Sequence, residues 1–147
     1  MDDTYDNPAI VYSHRKITIY NSNIAIMAYK ELAQEMYNMV LSGQAMEAFE
    51  KFYHEDTVMV EATGDIREGK DTNREFEKNY VSGIKEFHGG GVIAITSDEE
   101  NGITMVEAWS DVTFQDGNRM KMEEVARQKW SGEQIIEERF YYNAAGM

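Results

Sequence analysis

The hydrophobic period of this chain changes at Asp56, and that change limits the fold more than any other feature. Ahead of it, Tyr29, Leu32, Ala33, Met36, Tyr37, Val40 and Leu41 recur at the i, i+3, i+4 spacing of one helical face. Ser22 or Asn23 is placed to cap this long first helix and Gly43 to end it. A shorter helix follows at once, with Met46, Phe49, Phe52 and Tyr53 on one side, so the pair reads as a helical hairpin. After Asp56 the run TVMVEA has the period of a strand, and Gly64-Asp65 turns the chain into a short piece around Ile66 to Glu68. Asp71 is the expected cap of a third helix carrying Phe76 and Tyr80 on one face. The remainder is β-rich, with strands over Glu86 to Ser97, Ile103 to Gln115, Asn118 to Ser131 and Gln134 to Tyr142. They are separated by SDEENG, QDGN and SGE, all turn-forming compositions. Helices first and a long antiparallel meander afterwards make an α+β fold.

Side-chain alternation assigns faces within that meander. Met120, Met122, Glu124, Ala126, Gln128 and Trp130 share one face of the third of these strands, so Glu124 sits on its more apolar side. The strand before it is apolar on both faces, one suited to a core and the other to a second subunit. A homodimer is expected, with Val106, Ala108, Val112 and Val125 at the contact. Gly89-Gly90-Gly91 lacks the pattern of a phosphate loop and is read as a bulge that bends the sheet.

Charge and cysteine content exclude several functions. With 27 acidic against 14 basic residues the formal charge is −13, which repels phosphate backbones and anionic lipid, so neither nucleic acid nor a membrane is an expected partner. The absence of cysteine rules out disulfides and thiolate metal sites. Together with an N-terminus unlike a secretory signal, it leads us to expect a cytoplasmic protein. Three histidines and dispersed acids show no ligand spacing, so no metal is expected. Residues 1–22 are read as an extension, in which HRKITIY is an edge strand, an arm across a partner or a loosely held terminus, and 23–143 as one domain.

The segments AFEKFYHEDTVMVEATGDIREGKD and KWSGEQIIEERFYYN, in this order of elements, resemble the SnoaL-like branch of the nuclear transport factor 2-like superfamily over roughly Asn23 to Asn143. The resemblance implies a cone, a strongly curved antiparallel sheet wrapped around the long first helix, with three helices in all and an apolar cavity, usually in dimers. In the ketosteroid isomerases of that superfamily, a helix tyrosine, an aromatic residue sixteen positions on and a catalytic aspartate eight beyond define the site. Here that spacing falls on Tyr37, Tyr53 and Glu61. By that resemblance Glu61 is the base and Tyr37 the donor to an enolate oxygen. The isomerases' second donor, a protonated aspartic acid, falls on Ala126, which donates nothing, and Glu124 on the same face is the available replacement. Dehydratases of the superfamily pair histidine with aspartate, for which His88 is the candidate.

Each of these residues also has an ordinary reading: Tyr37 as a packed ring, Glu61 as a solvated strand end, Glu124 as the ion-pair partner of a neighbouring arginine or lysine. The pocket expected between helix and sheet is bordered by Met36, Tyr37, Tyr53, Met59, Phe76, Gln128, Trp130 and Phe140, and it suits an apolar small molecule. Two functions remain open. One is a cofactor-independent isomerase, cyclase or dehydratase acting by acid–base chemistry on an apolar carbonyl compound, and the other is a non-catalytic ligand-binding or dimerisation module.

Overall fold

A computed structural model describes residues 28–144, together with the backbone of two short antiparallel strands, β1 (Tyr12–Ser13) and β2 (Lys16–Ile17). The rest of the expected 1–22 arm and the expected cap at Ser22 or Asn23 lie outside the described residues.

Helix α1 (Tyr29–Leu41) buries Tyr29, Leu32, Ala33 and Met36, the face its periodicity marks, while Val40 at its C-terminal end stays exposed. Its N-terminus is satisfied from far along the chain. The carboxylate of Glu99 accepts from the Tyr29 N–H at 2.9 Å and the Lys30 N–H at 3.0 Å, placing negative charge where the first-turn amides lack partners. Gly43, at φ 87°, ends the helix, and α2 (Ala45–Phe52) returns with Ala48, Phe49 and Phe52 buried.

Strand β3 (Tyr53–Val60) leaves α2 without a loop. The Gly64-Asp65 turn, closed by the Glu61 N–H on the Asp65 carbonyl at 2.9 Å, leads into β4 (Ile66–Glu68). Helix α3 (Lys70–Gly83) begins one residue before the expected Asp71 cap. Gly69 holds the N-cap position at φ 84°, and Asp71 sits in the first turn. Then come β5 (Ile84–Asp98), β6 (Ile103–Phe114), β7 (Arg119–Ser131) and β8 (Gln134–Tyr141).

The six strands form one curved, unclosed sheet in the order β4-β3-β8-β7-β6-β5. The meander from β5 to β8 is antiparallel throughout, as its turns require. β8 then lies parallel to β3, with Met59 beside Glu138, so the sheet as a whole is mixed. A parallel neighbour needs a long crossover, here everything from β4 to β7.

Within β6 the structure turns Val106, Ala108 and Val112 inward, each at most 7% exposed, which removes them from the expected dimer contact. The strand covers the helices with that face and presents Met105, Glu107, Trp109 and Asp111 on the other. The triglycine lies between two register shifts, at Phe87/Gly89 and Val92/Ala94, as a bulge requires. Its small size also serves packing on both faces. A Cβ on Gly89 or Gly91 would stand 3.1 or 3.0 Å from the Trp109 ring, and one on Gly90 2.9 Å from Leu41 at the end of α1.

Candidate functional site

The concave face of the sheet is read most directly across β7 and β8. Gln128 lies opposite Glu138 and Ala126 opposite Phe140, so Glu124 is one step further toward the C-terminal end of β8. Met59 of β3 flanks Glu138 and pairs in turn with Arg67 of β4. Against this face pack Tyr37 of α1, Tyr53 at the junction of α2 and β3, and Glu77 and Tyr80 of α3.

The deep end is a closed hydrogen-bond chain. The Trp130 indole donates to Thr104 Oγ1 at 2.8 Å, the Thr104 hydroxyl donates to Gln128 Oε1 at 2.8 Å, and Gln128 Nε2 donates to Glu138 Oε1 at 2.8 Å. The Tyr53 hydroxyl donates to the other Glu138 oxygen. Glu138 is only 1% exposed, and burial outweighs these two donors, lifting its carboxyl to about 7. Sequence reasoning missed Glu138. The turn register alone, Ser131 with Gln134 and Trp130 with Ile135, would set Glu137 across from Gln128, and only the shift between Lys129 and Trp130 brings Glu138 there.

Glu61 occupies the concave face next to Phe140 and is not solitary. Arg67 folds back across the turn and donates to Glu61 Oε1 at 2.5 Å, while the Tyr142 hydroxyl donates to Oε2 at 2.9 Å. The same guanidinium donates to Asn73 Oδ1 at 3.1 Å and lies 3.6 Å over the Phe76 ring. Phe76 is thereby drawn to the rim, 42% exposed, instead of bordering a closed pocket. Asn73 and Glu77 carry the inward face of α3.

Glu124 and Glu77 contrast with Glu61. Burial lifts each carboxyl to about 7, with neighbouring carboxylates adding to the effect, and neither side chain makes a hydrogen bond or ion pair among the described residues. Tyr37 is in the same condition. Burial first, then the charges of Glu138 and Glu124, hold its phenol well above the usual range, and its hydroxyl is unpaired among the described residues. The only described side-chain polar atom both sealed from solvent and unpaired is Thr57 Oγ1. Tyr37, Glu77 and Glu124 are each half-buried, so their unpaired polar ends are not sealed from solvent.

Of the residues singled out from sequence, Tyr37, Tyr53, Glu61, Glu124, Gln128, Met59, Trp130 and Phe140 come together on this side. Met36, Tyr53, Met59 and Trp130 are buried in the packed core. His88 does not join them. Its Nε2 lies 2.7 Å from Thr113 Oγ1, on the opposite face of the sheet from Val112. A groove of about 390 Å³ along Met120, Met122 and Glu123 reaches Tyr142, whose hydroxyl touches Glu61. No group of three acids or histidines among the described residues is disposed to hold a metal ion. No helix of the described residues is long and apolar enough to cross a membrane.

This architecture recurs in solved structures. A SnoaL-like polyketide cyclase candidate from Mesorhizobium loti is 28% identical over 79% of this chain and 100% of its own, with a TM-score of 0.68. An isomerase candidate from Bacillus subtilis, 16% identical, matches over 81% of this chain and 91% of its own at 0.69. SalBIII, described as an epoxide hydrolase/cyclase-like enzyme in pyran ring formation, is 20% identical over 80% of this chain and 92% of its own, at 0.67. No curated protein matches the chain. The family model for the SnoaL-like domain matches residues 27–142, nearly the whole of the described fold, and the chain belongs to that family.

Proposed function

We propose that the protein is a cofactor-independent enzyme of the isomerase or cyclase kind, moving a proton on an apolar carbonyl compound held against the concave face of the sheet. The observation that carries this reading is that the concave face holds both Glu124, whose carboxyl is lifted to about 7 by burial, and a Tyr37 hydroxyl that makes no hydrogen bond among the described residues. A carboxyl with a pKa near the working pH both accepts and returns a proton, while a phenol that stays protonated donates to the oxygen on which charge develops. Glu61, the base implied by the resemblance, has both oxygens engaged by Arg67 and Tyr142 and is assigned instead to holding the rim. A dehydratase relying on His88 is disfavoured because that ring lies on the far face.

The non-catalytic alternative draws on Ala126, fully buried where a second donor is needed. The two readings part on solvent hydrogen exchange into the α-carbon of β,γ-unsaturated ketones and polyketide-like 1,3-diketones. The enzyme should catalyse it, Glu124→Gln should lose roughly 100-fold or more, and Tyr37→Phe roughly 10- to 100-fold. Exchange no faster than buffer across the panel, with ligand retained in native mass spectrometry, would leave binding alone.

A further inference from the structure

The buried hydrogen-bond chain behind the concave face has a fixed polarity, and Trp130 fixes it. An indole N–H only donates, so Thr104 Oγ1 accepts from it, and the Thr104 hydrogen goes to Gln128 Oε1, the hydroxyl's other partner among the described residues. The Gln128 amide is thereby turned with its carbonyl toward Thr104 and its Nε2 toward Glu138 Oε1, 2.8 Å away. Glu138 Oε1 must therefore accept, whatever the charge of the carboxyl. A proton on this group sits on Oε2, and Oε2 faces the Tyr53 hydroxyl. Two states follow. With Glu138 ionised, Tyr53 donates to Oε2 and has no hydrogen left for another partner. With Glu138 protonated, Oε2 donates to the Tyr53 oxygen, and the phenol hydrogen is released to an acceptor outside the chain. The neutral state is accessible on structural grounds, because Glu138 is 1% exposed and forms no ion pair among the described residues. The titratable groups that bear on it are Tyr37 of α1, Tyr53, Glu61 of β3, Glu77 of α3 and Glu124 of β7, all acids or phenols. Arg67 of β4, two strands away, is held by Glu61. Burial is the main influence that lifts the Glu138 carboxyl to about 7, against the pull of its two donors.

We propose that Glu138 is a positioning residue that sets the direction of the Tyr53 hydroxyl, so that Tyr53 is a free donor only when Glu138 holds a proton. Tyr37 packs against the core cluster that contains Tyr53, and the released hydroxyl supplies the second donor that Ala126 lacks. That role rests on the catalytic reading of the concave face, whereas the direction of the hydroxyl does not. A glutamine at position 138 meets the same constraint as the acid. Its carbonyl must face Gln128 Nε2, so its own amide nitrogen faces Tyr53 and holds the phenol as an acceptor at every pH.

The test follows tyrosine ζ-carbons and glutamate δ-carbons by carbon NMR from about pH 5 to about pH 9. Tyr53 is assigned through Tyr53→Phe and, independently, through ring contacts with Phe49, stacked 4.8 Å from it. Its carbon should move downfield as pH rises, toward the position of a phenol donating to a carboxylate, and share the midpoint of the Glu138 carbon. In Glu138→Gln it should stay at the wild-type low-pH position throughout. A Tyr53 carbon that stays still while Glu138 titrates, a Glu138 carbon that does not titrate across this range, or a Tyr53 shift that persists in Glu138→Gln would each overturn the proposal. Because wild type alone supplies the first two outcomes, a poorly folding variant does not blunt the test. Solvent hydrogen exchange into the carbonyl panel reads the consequence at the site. Wild type should give a bell-shaped rate profile, since Glu124 acts ionised and Glu138 protonated, and Glu138→Gln should lose the high-pH limb and exceed wild type at least five-fold at about pH 9. A high-pH limb unchanged in Glu138→Gln would overturn the part given to Tyr53 at the site. No exchange by either protein, with the Tyr53 shift present, would retain the control of the hydroxyl and remove the catalytic reading. Exchange with a motionless Tyr53 carbon would do the reverse.

Discussion

Glu61 and Glu124 project from the same concave surface, and one guanidinium separates their chemistry. Arg67 and Glu61 are mostly withdrawn from water, with side chains 13% and 16% exposed, so each has exchanged hydration for the other. Removing one partner leaves the other desolvated and alone. Arg67→Leu should therefore destabilise the protein by about 3 kcal/mol, and adding Glu61→Gln to that chain should recover more than half of the loss, both read from urea unfolding. A double variant as unstable as the single one would show that Arg67 acts through Phe76 and Asn73 and not through Glu61. The sequence already set Arg67 across the Gly64-Asp65 turn from Glu61, and that much was legible. Glu138 was harder to see, because IIEERFYY is apolar on both faces and the register shift between Lys129 and Trp130 brings Ile135 inside along with Glu138. Glu77 was hidden by Phe76 and Tyr80, the aromatic residues that appear to define the helix face when the competing stack of Arg67 on Phe76 is unknown.

Strand ends were legible to within about two residues, because SDEENG, QDGN and SGE can be little but turns. The start of α1 was not, and its cause lies some seventy residues away. Ala28 has no side-chain acceptor, so the first-turn amides depend on Glu99, which arrives from the turn between β5 and β6 and docks the helix on the turn end of that hairpin. Glu99→Ala should cost about 1–2 kcal/mol, in the range of a lost N-cap, and should raise amide exchange at Tyr29 and Lys30 before it does so at Met36. An unchanged unfolding midpoint would mean that water serves these amides equally well. The triglycine shows the same limit of local reading. Its bulge follows from composition, but the reason for three glycines lies in Trp109 on one face and Leu41 on the other.

At the scale of the whole molecule the charge of −13 opposes self-association unless the contact face is locally balanced. The outer face of β6 and β7 is such a place. Glu107, Asp111 and Glu123 alternate there with Arg119, Lys121 and Arg127 around exposed Met105 and half-buried Trp109. We propose that the homodimer forms here and not through the inward-facing valines. Sedimentation should give a dimer for wild type and a monomer for Met105→Glu, and a wild-type monomer would exclude this surface. The same charge shapes stability against pH. Glu77, Glu124 and Glu138 have folded-state pKa values raised from 4.5 to about 7, so from about pH 4.5 to 7 the folded chain binds more protons than the unfolded one. Their contribution is complete below about pH 4.5 and is lost as pH rises through 7, the direction in which net repulsion also grows. Glu50, Asp98 and Asp111, lowered mainly by hydrogen bonds from Arg74, Asn101 and Arg119, act oppositely, and their exposed partnerships are lost only as pH falls below the usual carboxylate range. Stability should therefore peak near pH 5 and decline by a few kcal/mol toward pH 8, and Glu124→Gln should flatten that decline by holding one site permanently neutral. Urea midpoints measured from pH 4 to 8 test this directly. A midpoint that instead rose steadily to pH 8 would mean that the three carboxyls are hydrated in the folded chain, and Glu124 would lose its place as the proton carrier.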